Sequence, residues 1–483
     1  MTGAMPDSPS DGAGGVQISQ KYGDGMQSNF RNRIQNINGY GDQPFAFLDP
    51  DAHNCFGHIV SIDLIENGDR PARENWQKKQ LGNLVNHAYV RSGFWRQRIP
   101  SGVGRQDILR NLPILTRKDI AMQVQKEGSL FTDKKQGAVS TYETTGSTGT
   151  ALKVFVCEQN GYYNVVRSLA QMFFDNLPLD RNRVRILSAI RPEELLKKSN
   201  VEGSQDHWAG PLSKIYRNGS MKTLRFNKDV EGLLDELSKD SVGYLFCPSR
   251  ILEQLLSHGG TDLIKRLGVE AWFHISDYRS REAVEQLKAI GITCLSNYSS
   301  AELGPIAFEC TTHEGNYHVA HTNVIVECDE RLTTAFEGEV VGQLLITHLH
   351  SHATPLIRYD IGDFGKLHDQ CPCGHDGPTI SHIYGRGKHF LRHPDGHYLP
   401  FHMTTRALRE VVDFKECRFR QETVDTITVQ IGGRETLSQE EEEKLKATII
   451  AVTDPAFKVV IKPVREIDWS DNPKQLFFSS SVA

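Results

Sequence analysis

Tyr244-Leu245-Phe246, a helical pattern from Pro248 through Leu256, Ala271-Trp272-Phe273-His274-Ile275, a second helical pattern from Arg281 to Ala289, and Thr293-Cys294-Leu295 follow one another along the chain. Short apolar runs bounded by amphipathic stretches are the pattern of βαβ units, whose strands are buried on both faces in a largely parallel sheet. The same alternation extends upstream, with a helix over Tyr162 to Phe174, a strand at Val184-Arg185-Ile186-Leu187 and a helix over Val230 to Leu237. Ligands of such sheets bind beyond the carboxyl ends of the strands. Tyr298-Ser299-Ser300-Ala301-Glu302 follows one such strand, where a ligand-facing loop is expected.

Around this centre the pattern changes. Val324-Ile325-Val326-Glu327 and Val340 to His348 read as extended segments of a hairpin or small barrel. After Arg386, strand-like runs at Phe419, Thr426 to Ile431 and Phe457 to Ile461 flank Ser438-Gln439-Glu440-Glu441, a capping box that opens a helix through Val452. Trp76, Leu81, Leu84, Val85 and Ala88 recur at helical spacing. Residues 1–42, rich in Gly, Ser, Asp, Gln and Asn, are expected to be a mobile arm. The expected fold class is α/β. A large domain over 43–385 is expected to have mostly parallel sheets and a small β-barrel-like part, and 386–483 to form a small α+β C-terminal lid domain.

The chain has 483 residues, too many for a single ordinary core, and a net charge of −5. That charge and the lack of a basic run argue against a nucleic-acid partner. No apolar stretch is long enough to span a bilayer, so no membrane partner is expected. The start, Met1 to Asp7, lacks a basic segment followed by an apolar one, so a cytoplasmic location is expected. Nine cysteines in such a chain point to free thiols or a metal site rather than a disulfide framework.

Thr144-Thr145-Gly146-Ser147-Thr148-Gly149-Thr150, with Lys153 just beyond, interleaves hydroxyls with glycines between β-like runs at Ala138-Val139 and Val154-Phe155-Val156. Glycine lets backbone amides approach a ligand closely, and such a loop suits a polyphosphate. No Gly-Lys pair closes it in the manner of a P-loop.

Taken in order, this loop, Tyr298 to Gly304, Pro355-Leu356-Ile357-Arg358-Tyr359-Asp360-Ile361-Gly362-Asp363 and Tyr384-Gly385-Arg386-Gly387-Lys388 resemble the motifs of adenylate-forming enzymes. These are the acyl–coenzyme A ligases, luciferases and peptide-synthetase adenylation domains. With His87, Ser92-Gly93-Phe94-Trp95 and Leu112 to Ile120, the chain from about residue 75 onward most resembles the phenylacetate–coenzyme A ligase family. The resemblance implies that Thr144 to Thr150 hold the β- and γ-phosphates of ATP, with Lys153 one place later than the family's lysine. It implies Tyr298 beside the adenine with Ser299 and Ser300 adjacent, Glu302 as the Mg²⁺ ligand, and Asp363 on the ribose hydroxyls. Arg386 would be a second ribose or phosphate contact and Lys388 the hinge. Lys474 would be the adenylation lysine, bridging carboxylate and α-phosphate. Two positions depart from the family: Ala301 stands where Thr or Ser is common, and Pro473 where glycine is common.

Cys310, His318, Cys371 and Cys373 offer a set of three thiolates and one imidazole, which suits structural Zn²⁺. His375 or His368 could replace His318. Similar positions in some relatives imply the same metal. The function expected is ATP-dependent adenylation of a carboxylic acid, aromatic by the aromatic residues at Phe246 and Phe273, followed by transfer to coenzyme A. Transfer to an amine or carrier protein, adenylation of another group, and a non-catalytic nucleotide-binding relative remain open, as does a homodimer.

Overall fold

The structure is a computed structural model, which describes residues 50–100, 108–130, 137–144, 152–174, 186–192, 204–214, 219–227, 229–275, 279–336, 339–385, 390–401, 403, 405–470 and 477–482. The expected mobile arm, the loop residues Thr145, Gly146, Ser147, Thr148, Gly149 and Thr150, and Arg386, Lys388 and Lys474 lie outside the described residues.

The described chain opens with helices α1 (Pro50–Glu66), α2 (Arg70–Arg91), α3 (Gly93–Arg98), α4 (Ile108–Asn111) and α5 (Arg117–Glu127). Side chains fix their starts: Asp69 accepts from the Ala72 amide, Ser92 from the Trp95 amide, and Thr116 and Asp119 form a reciprocal capping box. Strands β1 (Val139–Thr144) and β2 (Leu152–Cys157) then pair antiparallel with Thr144 opposite Leu152, so the Thr/Gly-rich loop joins two hydrogen-bonded strands.

Next come α6 (Glu158–Phe174), β3 (Ile186–Pro192), β4 (Ser204–Gln205), β5 (Met221–Phe226), α7 (Val230–Ser238), β6 (Val242–Cys247), α8 (Ser249–Arg266), β7 (Ala271–His274), α9 (Arg281–Ala289) and β8 (Thr293–Ser300). Strands β5, β3, β6, β7 and β8 lie side by side in parallel, as the alternation of helix and strand requires. Side chains alternate across this sheet. Leu245, Cys247 and Trp272 face α7, α8 and α9, whereas Tyr244, Ala271, Phe273 and Leu295 face α1 and α6.

Beyond β8 the sheet continues through β9 (Gly304–Glu309), β10 (Asn316–Val319), β11 (Val324–Phe336), β12 (Glu339–His348), β13 (Tyr359–His368) and β14 (Thr379–Gly385). The 12-stranded order is β11-β12-β13-β14-β10-β9-β8-β7-β6-β3-β5-β4. This corrects two expectations. The sheet is mixed rather than mostly parallel, because connections as short as Ser300 to Gly304 can join only antiparallel strands. The segment around 322–350 is a hairpin at the sheet edge, not a barrel: β11 pairs with β12 alone, and no closed barrel occurs among the described residues.

After β15 (Phe390–Arg392) and β16 (Tyr398–Pro400), which form a separate hairpin, come α10 (Thr405–Arg409), β17 (Glu416–Thr423), β18 (Thr426–Gly432), α11 (Gln439–Val452), β19 (Lys458–Val464) and β20 (Phe478–Ser480). The last four strands make their own sheet in the order β19-β18-β17-β20. Helix α11, opened by the capping box at Ser438 and Glu441, is the crossover between parallel β18 and β19. It buries Leu445 and Ile449 against Ile427, Val429 and Ile431. Successive residues of β15 serve different cores. Phe390 packs 5.2 Å from Phe364 of β13, and Leu391 enters the apolar cluster of the C-terminal sheet.

A charged network is buried between α1, α6 and the segment before β11. Arg167 bonds both carboxylate oxygens of Glu66, at 2.9 Å from Nε and 2.6 Å from Nη2. The Thr322 amide and hydroxyl donate to the same Glu66 at 3.0 and 2.5 Å, and Arg73 donates to the Glu66 carbonyl. The Arg167 guanidinium also lies 4.4 Å over the Phe308 ring. Removing one partner of such a pair leaves an uncompensated buried charge. Glu66→Ala is therefore expected to lower the unfolding free energy by about 3–5 kcal/mol, measured by urea unfolding. A loss under about 1 kcal/mol, the range of an exposed pair, would show that the network does not hold α1 and α6 together.

Candidate functional site

The site forms where β8 changes the sense of its pairing. Residues 293–296 run parallel to β7, and residues 297–300 run antiparallel to β9. The turn is tight: the Leu303 amide donates to Ser300 Oγ at 3.2 Å, and Gly304 adopts φ +65° with the Asn164 amide so close that a Cβ would collide. Tyr298 and Ser299 belong to the strand, not to the expected loop, because the ladder to β9 continues to Ser300. Ser299 is exposed.

Glu302 sits buried on this turn. Tyr359 donates its hydroxyl to Glu302 Oε1 at 3.0 Å, and Arg117 Nη1 lies 3.8 Å from the same oxygen and 3.4 Å from the Tyr359 hydroxyl. On β8, just before this turn, Tyr298 donates to Asp363 Oδ2 of β13 at 2.7 Å. Burial first, then the neighbouring carboxylates, push both tyrosine pKa values up, so both phenols remain protonated donors at neutral pH. Asp363 follows Gly362, whose φ of +88° and amide bond to Asp360 bend β13. Asp363 pairs in register with Gly385, the last described residue before Arg386. Lys153 is exposed on β2, opposite Glu143, with its ammonium 5.5 Å from the Phe155 ring.

Beside Gly304 an open cleft of about 320 Å³ is lined by Asn164, Ser168, Met172, Trp208, Phe246 and Pro305, among others. Phe246 stacks on Phe273 at 4.1 Å. Arg117, Tyr359, Asn164, Ser168 and Trp208 received no role from the sequence. The signals were faint: Arg117 and Tyr359 stand inside quoted motifs, and Asn164 and Ser168 are a polar i,i+4 pair on α6 among its other polar residues.

The Cys/His set does converge. Ligand atoms of Cys310, His318, Cys371 and Cys373 all lie within 4.8 Å of one another, with Cys373 Sγ 3.4 Å from His318 Nε2. The strand order explains it. Cys310 follows β9, His318 lies on its neighbour β10, and the two other cysteines lie on the turn between β13 and β14, the latter being β10's other neighbour. His375 stacks on His318 at 4.2 Å, while His368 bonds Ser381. Among the described residues, no cysteine forms a disulfide.

No family model matches the chain. Protein CapK of Staphylococcus aureus is 27% identical over 147 residues, which span 30% of this chain and 31% of CapK. Among solved structures, 2-hydroxyisobutyryl-CoA ligase in its postadenylation state with 2-HIB-AMP matches with a TM-score of 0.59 and 13% identity, covering 84% of this chain and 89% of that one. GH3.15 acyl acid amido synthetase matches with a TM-score of 0.51 and 12% identity, covering 84% and 88%. The chain shares the fold of these two enzymes. Among the described residues, no helix is long and apolar enough to cross a membrane.

The segment leading into β13 carries three histidines that burial holds neutral: His348 is pushed down to about 3, His352 to about 4, and His350 in the same direction. The unfolded chain protonates such rings below about pH 6.5. Stability from these groups is therefore complete above that pH and is lost as pH falls from about 6.5 towards 4. The urea midpoint is expected to be lower at about pH 5.5 than at about pH 7.5, and His352→Gln to shrink the difference. Equal shrinkage by an exposed control, His258→Gln, would discard the buried-histidine account.

Proposed function

We propose that the protein is an ATP-dependent ligase that adenylates a carboxylic acid, aromatic in character, and passes the acyl group to coenzyme A. The observation that carries this reading is the meeting of Tyr298 and Glu302, from one segment, with Asp363, 65 positions after Tyr298, across the antiparallel part of a mixed sheet. In this reading Asp363 accepts the two ribose hydroxyls, displacing or sharing the Tyr298 hydroxyl, and Tyr298 lies along the adenine. Ser299 and Ser300 stand near the α-phosphate, and Thr144 to Thr150 with Lys153 hold the terminal phosphates.

Glu302 supplies the one buried carboxylate that Mg²⁺ takes together with phosphate oxygens. Bound there, the ion would neutralise phosphate charge. Tyr359 and Arg117 orient that carboxylate. The carboxylate oxygen of the acid attacks the α-phosphorus. The bond to the β-phosphate oxygen breaks, and pyrophosphate leaves with the electron pair. Lys474 lies between the two anions as they approach. The thiol of coenzyme A then attacks the acyl carbon and AMP departs. Residues 386–483 act as a lid turning about Lys388, with Arg386 beside the ribose, and residues 43–385 bind ATP and acid. The aromatic acid is supported by the cleft beside Gly304, whose walls include Trp208, Phe246 and Met172 and no charged residue.

Pyrophosphate release with a panel of aryl and alkyl acids, with and without coenzyme A or amines, tests the reaction and its acceptor. Asp363→Ala is expected to abolish useful ATP binding by calorimetry. Lys474→Ala is expected to slow adenylation by roughly 10²–10³-fold and the thioester-forming step far less. Equal losses in both half-reactions, followed in single turnovers, would refute the role of the lysine.

We also propose a structural Zn²⁺ at Cys310, His318, Cys371 and Cys373. Burial keeps His318 neutral and so fit to coordinate, pushed down to about 4. About one zinc per chain is expected, and Cys371→Ser should lower the melting temperature before it alters chemistry. Stable, active protein with no zinc by elemental analysis would remove this proposal.

A further inference from the structure

The turn between β15 and β16 reads His393-Pro394-Asp395-Gly396-His397. Its backbone is closed by the His393 amide bonding the His397 carbonyl at 2.9 Å and the Gly396 amide bonding the His393 carbonyl at 2.9 Å, with Gly396 at φ +102°. This folding brings three side chains to one point. His393 Nδ1 lies 2.9 Å from Asp395 Oδ1, His397 Nδ1 contacts the same oxygen, and the two imidazoles stack with centroids 4.4 Å apart. The three ligand atoms lie within 4.8 Å of one another.

The Asp395 amide lies 3.3 Å from His393 Nδ1, and His393 Nε2 lies 3.7 Å from Asp454 Oδ1. Both imidazoles thus turn one nitrogen toward a single carboxylate oxygen, a convergence that a cation can bridge. A histidine that offers one nitrogen inward and hands its other N–H to an outer carboxylate is the usual arrangement around a protein-bound transition metal. Two imidazoles and one carboxylate suit Zn²⁺, Co²⁺ or Ni²⁺ rather than the all-oxygen shells preferred by Mg²⁺ and Ca²⁺. Metal–ligand bonds of about 2.0–2.2 Å would require the ligand atoms to separate by up to about an ångström, within reach of an exposed turn.

We infer that His393, Asp395 and His397 form a second divalent transition-metal site, separate from the cysteine cluster, with Asp454 as its outer carboxylate and solvent completing the coordination. Asp454 lies between α11 and β19, so the metal would fasten the β15–β16 hairpin to the C-terminal sheet.

The test is Co²⁺ titration of the full chain in a non-thiol reductant, reading bound metal per chain and the visible and near-ultraviolet spectrum. Wild type is expected to bind one more Co²⁺ than His393→Ala/His397→Ala. The difference spectrum should lack a thiolate-to-cobalt band, which would mark the cysteine cluster instead. Asp454→Asn keeps all three ligands and is expected to weaken only this sulfur-free site, by about tenfold. Equal stoichiometry in wild type and the double variant, or a thiolate band in their difference, overturns the proposal. If the double variant does not fold, the Asp454→Asn titration decides alone, and unchanged affinity overturns it. Absence of any thiolate band in wild type would count against the cysteine site only.

Discussion

Arg358 holds its backbone at φ +51°, a conformation that non-glycine residues adopt rarely and at a cost of order 1–3 kcal/mol. The surroundings hold it there from several sides. Its carbonyl accepts from the Leu115 amide and its own amide donates to Thr347 Oγ1, while its guanidinium reaches the Leu112 carbonyl at 2.5 Å and Glu327 at 3.1 Å. Burial pushes the Glu327 pKa up, and the arginine opposes that shift. The twist stitches an early segment of the chain to the start of β13. Arg117, two residues after Leu115, and Tyr359, next to Arg358, consequently arrive together at Glu302. The carboxylate on the β8–β9 turn is thus oriented through the backbone bridge that Leu115 makes with Arg358 and Asp360.

Much of the architecture was legible because local and tertiary signals agree. Helix α9 spans Arg281–Ala289 as its apolar spacing indicates, and the Ser438 box opens α11. The antiparallel half was not legible as part of one sheet. Strand β10 has only four residues, Asn316–Val319, too few to show alternation, and β13 carries Gly362 and Gly365 within its length. Helix α1 also escaped notice, since the face that it buries includes Asp63 and Glu66.

The candidate site was legible where chemistry-bearing residues cluster in sequence, as with Tyr298 and Glu302. It was opaque where contacts depend on strand order. Nothing local in Arg117 announces a glutamate 185 positions away. The cysteine cluster lies between these cases: its residue types were apparent, but the convergence follows from β9, β10 and β14 being neighbours. The proposed roles of Thr145 to Thr150, Arg386, Lys388 and Lys474 rest on sequence resemblance, since those residues lie outside the described structure.

The three-residue strand β15 has a mechanical consequence. Phe390 is fully buried in an aromatic group with Phe364, Tyr384 and Tyr398, and Leu391 is fully buried in the C-terminal core. Adjacent residues thus anchor the chain in two cores at once, as a rivet passes through two plates. A rotation of the C-terminal sheet about a pivot ahead of Phe390 must drag that ring from its aromatic neighbours. Exposing it costs about 1.5–3 kcal/mol, and losing its edge contacts costs up to about 1.5 kcal/mol more. Such a joint acts as a detent rather than a free bearing: it has a preferred angular setting, and departures from that setting occur only when other contacts drive them.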